Sequence, residues 1–391
     1  RSHAGASRFC QTRVAAPSVH SPECLPWLME LGHSRPGMLL YATSDDTLWF
    51  MAMHQSVLRQ VFRLHLPEKP SVFALLDKSQ LYAHANRLGV PIPVTHAPAS
   101  LAELHELGQT LAQQGAFPVI VKPRTQACMA VKQKGTVVNH PDDLFRAVSA
   151  MVKGASRYAA PLADELPSLE WPLVQAYLPD AQHHTYSLSG FIDHTGAVCA
   201  VRASAKVFQF PVRVGIGVAF EGRPVRQDLV ARVESLARAV GYFGVFEVEF
   251  IHVASSDTYL LMDFNPRFYG QMQFEISRGM SLPRMVHAAA TDDAAQLAAL
   301  CAQAKDRLLG TEATRQRYCN RWLFGVLLMT QRMGGRLGLS EQGWWKAWMD
   351  GDEVYDFAID PDDPAPQRVQ QLAFVRHWLR HPRSSWRDLF T

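Results

Sequence analysis

Acidic side chains alternate along one predicted strand, and further oxygen donors follow on the next. In the first segment, Glu247 and Glu249 alternate with apolar residues and therefore share one strand face. The second segment carries Asp263 and Asn265, and Arg267 follows it. Carboxylate and amide oxygens are hard donors that suit Mg²⁺. Because carboxylates buried together need a cation, this pattern predicts a metal site with Arg267 at its edge.

The register of this predicted hairpin decides whether the acidic groups meet. If Ala254 pairs with Thr258 across the turn, Glu249 lies opposite Asp263 and both carboxylates face the same side. A slip of one residue would place them on opposite faces. An acidic, solvent-facing strand pair with a surface loop is the alternative, since half-exposed antiparallel strands also alternate in this way. The hairpin by itself leaves both interpretations open.

Two lysines upstream complement the acidic hairpin. Lys122 ends a short apolar strand, and Lys78 opens a predicted helix whose N-cap is Asp77. Either lysine alone is more typical of a structural role, because lysine commonly ends a buried strand in water. Together with the carboxylates they match the chemistry of a nucleoside triphosphate, in which lysines bind phosphate oxygens and carboxylates bind the metal.

Length and composition limit the classes of protein. The 391 residues predict two or three domains, and 48% hydrophobic with 19% charged residues allow a substantial core. The net charge of +3 is too small to indicate a nucleic-acid-binding surface. The six cysteines never approach a CxxC spacing, so reduced thiols are expected. With no run of about twenty apolar residues and no secretory leader, we expect a cytoplasmic protein without a transmembrane segment, and Arg1 indicates a cut N-terminus.

The predicted elements indicate an α+β chain. A strand at Met38–Ala42, followed by a helix capped within Thr43–Asp46, is an α/β pattern. Helices at 78–88, 101–114, 141–153 and 228–240 accompany a middle region dominated by antiparallel strands. Beyond about residue 300, six of the nine tryptophans lie among arginines. We expect this segment to pack onto the rest of the protein, with a membrane-surface or substrate-capping element as the alternatives.

The chain resembles the ATP-grasp superfamily, and within it the carboxylate-amine ligase branch that includes D-aspartate ligase-like proteins. The resemblance covers about residues 77–282. Its motifs follow in the family's order: Asp77-Lys78, Gly89-Val-Pro-Ile-Pro93, Phe117-Pro-Val-Ile-Val-Lys-Pro123, Leu173-Val-Gln-Ala-Tyr-Leu178, Glu247-Val-Glu-Phe250 and Asp263-Phe-Asn-Pro-Arg267.

This resemblance implies a mixed α+β fold, in which two α+β subdomains clamp a nucleotide. It divides the chain into a partial, Rossmann-like pre-ATP-grasp domain at 1–75, expected to be truncated, and an ATP-grasp domain at 76–300. The lobes of the latter would be 76–173 and 174–300. Residues 301–391 would form a helical, Trp- and Arg-rich extension.

The resemblance also implies how a nucleotide would bind. Lys78 and Lys122 would hold its phosphates. The segment from Val174 to Leu178 would be the hinge, where Gln175 meets the adenine amino group. The backbone of Ala176 would read the ring, and Leu178 would pack on it.

The remaining roles implied by the family concern the reaction. Lys206 would help to hold the terminal phosphate and act catalytically. Glu249, Asp263 and Asn265 would be the metal ligands, with Glu247 on the same face as a less favoured one. Arg267 would bind the acyl phosphate or the carboxylate.

One segment departs from the family pattern. Many relatives carry a glycine-rich loop after the strand-terminal lysine, but here no glycine precedes Gly135. Bulkier residues restrict φ and close approach to phosphate. The contacts would then come from Arg124, Thr125, Lys132 or Lys134.

The implied activity is ATP-dependent formation of an amide or peptide bond. A substrate carboxylate would take the terminal phosphate of ATP to give an acyl phosphate and ADP, and an amine would then displace phosphate. The cofactors would be ATP and Mg²⁺, with Mn²⁺ as a substitute. The partners would be small-molecule carboxylate and amine substrates, with no nucleic acid, and a homodimer is left open. Two alternatives remain: an ATP-grasp carboxylase or kinase, and a degenerate ATP-binding regulatory protein.

Overall fold

The computed structural model describes residues 4–129, 135–155, 160–166, 168–178, 184–210, 216–306, 315–335, 337–351, 353–356, 360 and 362–382. Within these ranges the α-helices are, in chain order, α1 (Cys24–Ser34), α2 (Asp45–Met53), α3 (Gln55–Leu58), α4 (Lys69–Leu76), α5 (Lys78–Arg87), α6 (Leu101–Gln113), α7 (Pro141–Ala155), α8 (Ala160–Glu165), α9 (Gln227–Val240), α10 (Met272–Ser277), α11 (Leu282–Ala290), α12 (Ala294–Asp306), α13 (Arg321–Met333), α14 (Leu339–Met349) and α15 (Ala365–Arg380).

The strands in the same ranges are β1 (Thr95–His96), β2 (Val119–Lys122), β3 (Thr136–Val138), β4 (Leu173–Ala176), β5 (Thr185–Ile192), β6 (Val198–Phe210), β7 (Ile216–Arg223), β8 (Gly244–Val253), β9 (Thr258–Asn265), β10 (Arg317–Cys319) and β11 (Val354–Asp356). They form two sheets, one of four strands in the order β1-β4-β2-β3 and one of seven in the order β11-β10-β7-β6-β5-β8-β9. The mixed α+β class predicted from the sequence is confirmed.

The N-terminal helices α1 to α4 pack around an apolar core that includes Trp49 and Leu58 and is completed by Cys128 and Leu162 from later in the chain. The predicted cap of α2 is present, because Ser44 and Thr47 form a capping box. The Thr47 N–H donates to Ser44 Oγ at 3.1 Å, and Thr47 Oγ1 accepts from the Ser44 N–H at 3.0 Å. This cap fixes the start of α2, so that Asp45 occupies its first turn.

The strand predicted for Met38–Ala42 is reduced to one isolated bridge between Leu39 and Arg63. An apolar run needs a partner along its length to become a strand, and the local sequence does not say whether such a partner exists. Here the apolar residues of this run pack on neighbouring helices instead.

The four-stranded sheet forms the first lobe around the predicted strand that ends at Lys122. Val119 and Val121 of β2 are buried under α6 and α7, together with Leu104 and Leu144. Helix α5 opens beside this sheet as predicted, since the Asp77 side chain caps it by accepting the Ser79 N–H at 3.0 Å.

The seven-stranded sheet forms the second lobe, and its two faces differ in chemistry. One face packs against α9, whose Leu229 and Val233 join Phe246, Val248 and Phe250 of β8 in a single core. The alternate residues of β8 point to the other face. That face therefore carries the acidic groups singled out in the sequence.

The C-terminal segment extends the second sheet, which the sequence did not predict. Strand β10 pairs antiparallel with β7, and β11 pairs parallel with β10. Helices α13 and α14 cover this end with a cluster that includes Phe324, Leu327 and Trp348. The expected packing of the tryptophans onto the rest of the protein is thus present for Trp348, whose Nε1 donates to Glu221 Oε1 at 2.7 Å. None of the described helices is long and apolar enough to cross a membrane.

Candidate active site

A cavity of about 600 Å³ lies on the polar face of the seven-stranded sheet. Residues from the N-terminal helices, both lobes and the C-terminal segment line it. The predicted site residues that it brings together are Lys78, Lys206, Glu249, Asp263, Asn265 and Arg267, with Glu247 beside them. The site thus gathers positive and negative groups from widely separated positions, Lys78 and Arg267 among them.

Glu249 and Asp263 are opposite each other across β8 and β9, as predicted, but the turn is not paired as predicted. Near the turn Val253, and not Ala254, pairs with Thr258. A β-bulge then shifts the register by one residue between Glu249 and Phe250. The bulge compensates for the offset at the turn and returns both carboxylates to one face.

The two predicted lysines are linked to the second lobe through different partners. Lys78 Nζ donates to Asp263 Oδ1. Lys122 Nζ donates to the hydroxyl of Tyr82 at 2.9 Å, and that hydroxyl donates to the carbonyl of Met262 at 2.8 Å. Met262 is the residue that the bulge leaves without a strand partner, so its carbonyl is available to Tyr82.

The charge of Lys122 is sensitive to its surroundings. Burial, together with the positive charge of Lys78, lowers the pKa of Lys122 to about 7. For Lys78, burial acts in the opposite direction to the Asp263 carboxylate, and the net effect is a raised pKa. An incoming polyanion would stabilise the charged form of Lys122, so binding of phosphate and protonation of this lysine are coupled.

Glu247 is buried among amides and a second carboxylate. Its Oε2 accepts from Asn265 Nδ2 at 2.8 Å, and its Oε1 accepts from Gln271 Nε2 at 2.5 Å. Burial and the nearby charge of Glu249 nevertheless raise the pKa of Glu247 to about 8. Two carboxylates this close to each other create a local demand for positive charge.

Arg267 is held at the edge of the cavity by a residue to which the sequence assigned no role. Its Nε donates to Asp45 Oδ1, and its Nη2 donates to Asn265 Oδ1 at 3.1 Å. Its third contact, from Nη1 to the carbonyl of Phe268, is 3.1 Å long. Because Asp45 comes from α2, the N-terminal helices take part in positioning the guanidinium.

The oxygen donors fit a hard divalent cation, although other cations hold them in this structure. Glu249 and Asp263 supply carboxylates on one face, and Asn265 supplies an amide oxygen. Lys78 binds Asp263, and Arg267 donates to Asn265. In the part of the chain that the structure describes, no three His, Cys, Asp or Glu residues form a ready-made metal cluster. Metal binding therefore requires these two cationic side chains to release the oxygens.

The known proteins that resemble this chain do so in structure and not in sequence. No family model matches the sequence, and no curated protein sequence matches it significantly. Solved structures do match. The biotin carboxylase domain of 2-oxoglutarate carboxylase from Hydrogenobacter thermophilus has a TM-score of 0.54 at 13% identity, covering 71% of this chain and 59% of that one. L-amino acid ligase from Bacillus licheniformis has a TM-score of 0.52 at 13% identity, covering 71% and 62%.

A third structure, N5-carboxyaminoimidazole ribonucleotide synthetase from Thermus thermophilus, has a TM-score of 0.50 at 15% identity and covers 71% of this chain and 66% of its own. These neighbours are ATP-grasp proteins. The chain has an ATP-grasp fold. The matched region spans less than two thirds of each of the three neighbouring chains, and the identities are too low to carry more than the fold.

The cavity of this ATP-grasp fold also contains Lys206, but it does not contain the neighbouring arginine of β6. Lys206 lines the cavity, and its backbone N–H donates to Thr185 Oγ1 at 3.1 Å. Arg202 is buried, with its Nη2 donating to the carbonyls of Ala304 at 2.7 Å and Arg278 at 3.3 Å. Lys206 is therefore the β6 cation that a ligand in the cavity would meet.

The predicted hinge residues do not line the cavity. Gln175 is buried in the four-stranded sheet, where its Nε2 donates to Thr95 Oγ1 at 2.7 Å. The Ala176 N–H donates to the carbonyl of Val94 at 2.9 Å, so it is already committed. Leu178 is half-buried at the end of the described hinge. The nucleotide-binding role of these residues stays a prediction. In the Ala176 backbone, only the carbonyl would be available to hydrogen-bond to an adenine ring.

The first half of the loop after Lys122 contains a backbone conformation that glycine would favour, although no glycine is present there. Cys128 adopts a left-handed backbone with φ 57°, and its N–H donates to Asp46 Oδ1 at 2.7 Å. Arg124 is paired with the buried carboxylate of Asp77, so it braces the cap of α5. Thr125 lines the cavity. Lys132 and Lys134 lie outside the described residues.

Four further residues at the site were missed by sequence reasoning. Asp45 had a detectable signal, because it lies within the segment Thr43–Asp46 that was predicted to cap a helix, but its partner Arg267 is 222 residues away. Tyr82 lies in α5, and no local pattern singled it out. Asn320 and Gln370 line the cavity from a segment in which the tryptophans were the more conspicuous feature.

Proposed function

We propose that this protein is an ATP-dependent carboxylate–amine ligase that forms an amide or peptide bond through an acyl phosphate. The observation that carries the proposal is the pairing of Glu249 with Asp263 in a cavity that Lys78, Lys206 and Arg267 also line. Carboxylates on one strand pair suit a metal that is shared with phosphate, and the cations suit the phosphates themselves. The ATP-grasp fold supports this interpretation.

In the first step, a carboxylate oxygen of the acid substrate attacks the terminal phosphorus of ATP. The new P–O bond forms as the bond to the bridging oxygen breaks, and ADP leaves with that electron pair. Two anions must approach each other, so the barrier is largely electrostatic. Lys206 and Arg267 are the cations placed to neutralise the charge that develops.

In the second step, the amine nitrogen attacks the acyl carbon, and phosphate departs with the electron pair of the broken C–O bond. The amine loses one proton as the amide forms, and the departing phosphate takes that proton up. Arg267, held by Asp45, would orient the acyl phosphate for this attack. Holding both substrates in one cavity also favours attack by the amine over hydrolysis of the acyl phosphate.

We assign Mg²⁺ to Glu249, Asp263 and Asn265, with Mn²⁺ as a substitute. When bound, the metal would supply positive charge to the phosphates of ATP. Lys78, released from Asp263, would then be free to contact a phosphate oxygen, and Lys122 would gain its proton beside the polyanion. Gln175, Ala176 and Leu178 remain the proposed adenine contacts.

The neighbouring structures support this assignment at the level of chemistry. The 2-oxoglutarate carboxylase domain was determined with MgADP and bicarbonate, and the Bacillus licheniformis protein is an L-amino acid ligase. The first favours an Mg-nucleotide in this cavity, and the second favours amino acids as the acid and amine substrates. A carboxylase remains the second candidate, because the first neighbour was determined with bicarbonate bound.

The test is a screen of phosphate release from ATP with amino acids and small dicarboxylates offered in pairs. We expect release that needs Mg²⁺, an acid and an amine together, with the amide product identified by mass spectrometry. Release driven by bicarbonate without an amine would favour the carboxylase. Binding of MgATP without turnover of any pair would favour a regulatory protein.

A further inference from the structure

The C-terminal segment supplies one wall of the cavity. Its lining residues are Tyr318, Asn320, Leu323 and Gln370. Tyr318 and Asn320 are buried, and Gln370 is half-buried on α15. Burial raises the pKa of Tyr318, so its hydroxyl is neutral at ordinary pH. No described residue of this segment that lines the cavity carries a charge at neutral pH, in contrast to the metal and phosphate end.

The amide of Asn320 has a fixed orientation. It is the N-cap of α13, where its Oδ1 accepts the Leu323 N–H at 3.0 Å. A helix N-terminus offers only N–H groups, so the oxygen must face it and the nitrogen must face away. Asn320 Nδ2 then donates to Gln370 Oε1 at 2.9 Å.

This arrangement fixes the second amide in turn. Since Gln370 uses its oxygen to accept from Asn320, its Nε2 must present both N–H groups elsewhere. Among the described contacts, Nε2 has no protein acceptor. The nitrogen is not sealed from the cavity, so water or a ligand there can accept a hydrogen bond from it.

We propose that Gln370 is a specificity-determining residue that donates a hydrogen bond to an uncharged oxygen acceptor of the substrate, such as a carbonyl. Helix α13 orients it through Asn320. An uncharged acceptor fits better than a carboxylate, because no cation accompanies Gln370 on the described part of this wall and a buried carboxylate needs one. The apolar side chains of Val218 and Phe220 nearby suit the aliphatic portion of the same substrate. This inference rests on the proposed ligase function for its setting.

The experiment compares two probes of similar size, the γ-methyl ester of glutamate and norleucine. The side chain of the ester offers a neutral carbonyl oxygen and no hydrogen-bond donor. The side chain of norleucine offers neither an acceptor nor a donor. Affinity is measured by calorimetry without ATP, and phosphate release is measured separately. We expect the wild type to prefer the ester by about three- to tenfold, the net value of one hydrogen bond made in exchange for one to water.

Two variants remove the donor by different routes. Gln370→Glu still accepts from Asn320 but has no N–H to offer. Asn320→Asp keeps the helix cap but no longer donates, so the Gln370 amide turns its nitrogen toward position 320 and its oxygen toward the cavity. Both should lose the preference for the ester while retaining affinity for norleucine. Gln371→Glu, on the next position of α15, carries the same charge change outside the cavity and should keep the preference.

Equal affinity of the wild type for both probes overturns the inference, whether or not ATP is turned over. Retention of the ester preference by a folded Gln370→Glu protein also overturns it. Failure of the ligase proposal has a different signature, namely no phosphate release with any acid and amine although the probes bind as expected. Thermal unfolding of each variant shows whether it is folded. If Gln370→Glu is unstable, the Asn320→Asp variant provides the same test of the ester preference.

Discussion

Glu249 lies directly opposite Asp263, and a one-residue β-bulge is what places it there. Between the turn and the bulge, the two strands pair one residue out of the register that would bring these carboxylates together. The bulge beside Met262 absorbs the offset, and it frees a carbonyl that binds Tyr82. The same irregularity therefore sets the acidic pair and anchors the hydroxyl to which Lys122 donates.

Removal of the acidic pair should abolish turnover more than it harms folding. We expect Glu249→Gln and Asp263→Asn each to lower kcat/KM by about a hundredfold or more, because each removes a charge that would hold the metal. Steady-state phosphate release across a Mg²⁺ titration measures this. Asp257→Asn in the exposed turn of the same hairpin is the matched control and should be near wild type. A double variant with the wild-type rate would contradict the metal assignment.

Tyr82→Phe should weaken ATP binding selectively. The change removes the hydroxyl that accepts a hydrogen bond from Lys122 and donates one to the Met262 carbonyl. The lysine therefore loses its fixed position. We expect the KM for ATP to rise by about three- to tenfold, the value of one hydrogen bond. The control is Tyr242→Phe, which removes another buried hydroxyl that donates to a carbonyl, that of Val245. An equal rise in KM for both variants would point to general destabilisation.

Asp45→Asn should impair the chemical step more than nucleotide binding. The carboxylate holds the Arg267 guanidinium, and a neutral amide would hold it less firmly. We expect kcat to fall by about ten- to a hundredfold with little change in the KM for ATP. Asp228→Asn, which breaks the exposed pair with Arg226, is the control and should leave kcat unchanged. An unchanged kcat in Asp45→Asn would exclude a positioning role for this residue.

Mg²⁺ binding should release a proton near neutral pH. The pKa of Glu247 is about 8, so this carboxyl is largely protonated at pH 7, and a cation bound to its neighbours would lower that value. Calorimetry in buffers of different ionisation enthalpy should detect the proton at pH 7 and much less of it above about pH 9. Glu247→Gln should remove the effect. Proton release that is unchanged in this variant would place its source elsewhere.

The folded state should also become less stable as pH rises through the same window. A carboxyl whose pKa is raised on folding holds a proton that the unfolded chain has already lost between about pH 4.5 and 8. The unfolded state then binds fewer protons, so the free energy of unfolding falls with rising pH. Denaturant titrations of wild type and Glu247→Gln should differ in their dependence on pH across this range. An identical dependence would show that Glu247 does not titrate with a raised pKa.

Local patterns were sufficient for the elements that carry their own signals. Asp77 capping α5, the apolar strand ending at Lys122, and the alternation of Glu247 and Glu249 all depend on neighbours in sequence. The prediction of a strand at 38–42 was wrong because a strand also needs a second segment to pair with along its length. The register at the turn failed because a bulge has no clear local signature here.

The missed parts of the site share a different property. Asp45 meets Arg267, and Gln370 meets the cavity, only after distant segments have packed together. No periodicity reports such contacts. Tyr82 illustrates the same limit within one helix, since its neighbours along the chain do not report the partner of its hydroxyl.

The attachment of β10 to β7 has a practical consequence for any shortened form of the protein. Cutting the chain before residue 315 would remove the partner of β7 and expose a row of backbone N–H and C=O groups along Ala219 to Glu221. Such an open edge accepts strands from other molecules. A fragment containing only the two lobes would therefore tend to self-associate through β7, whose edge is covered by β10 when the C-terminal segment is present.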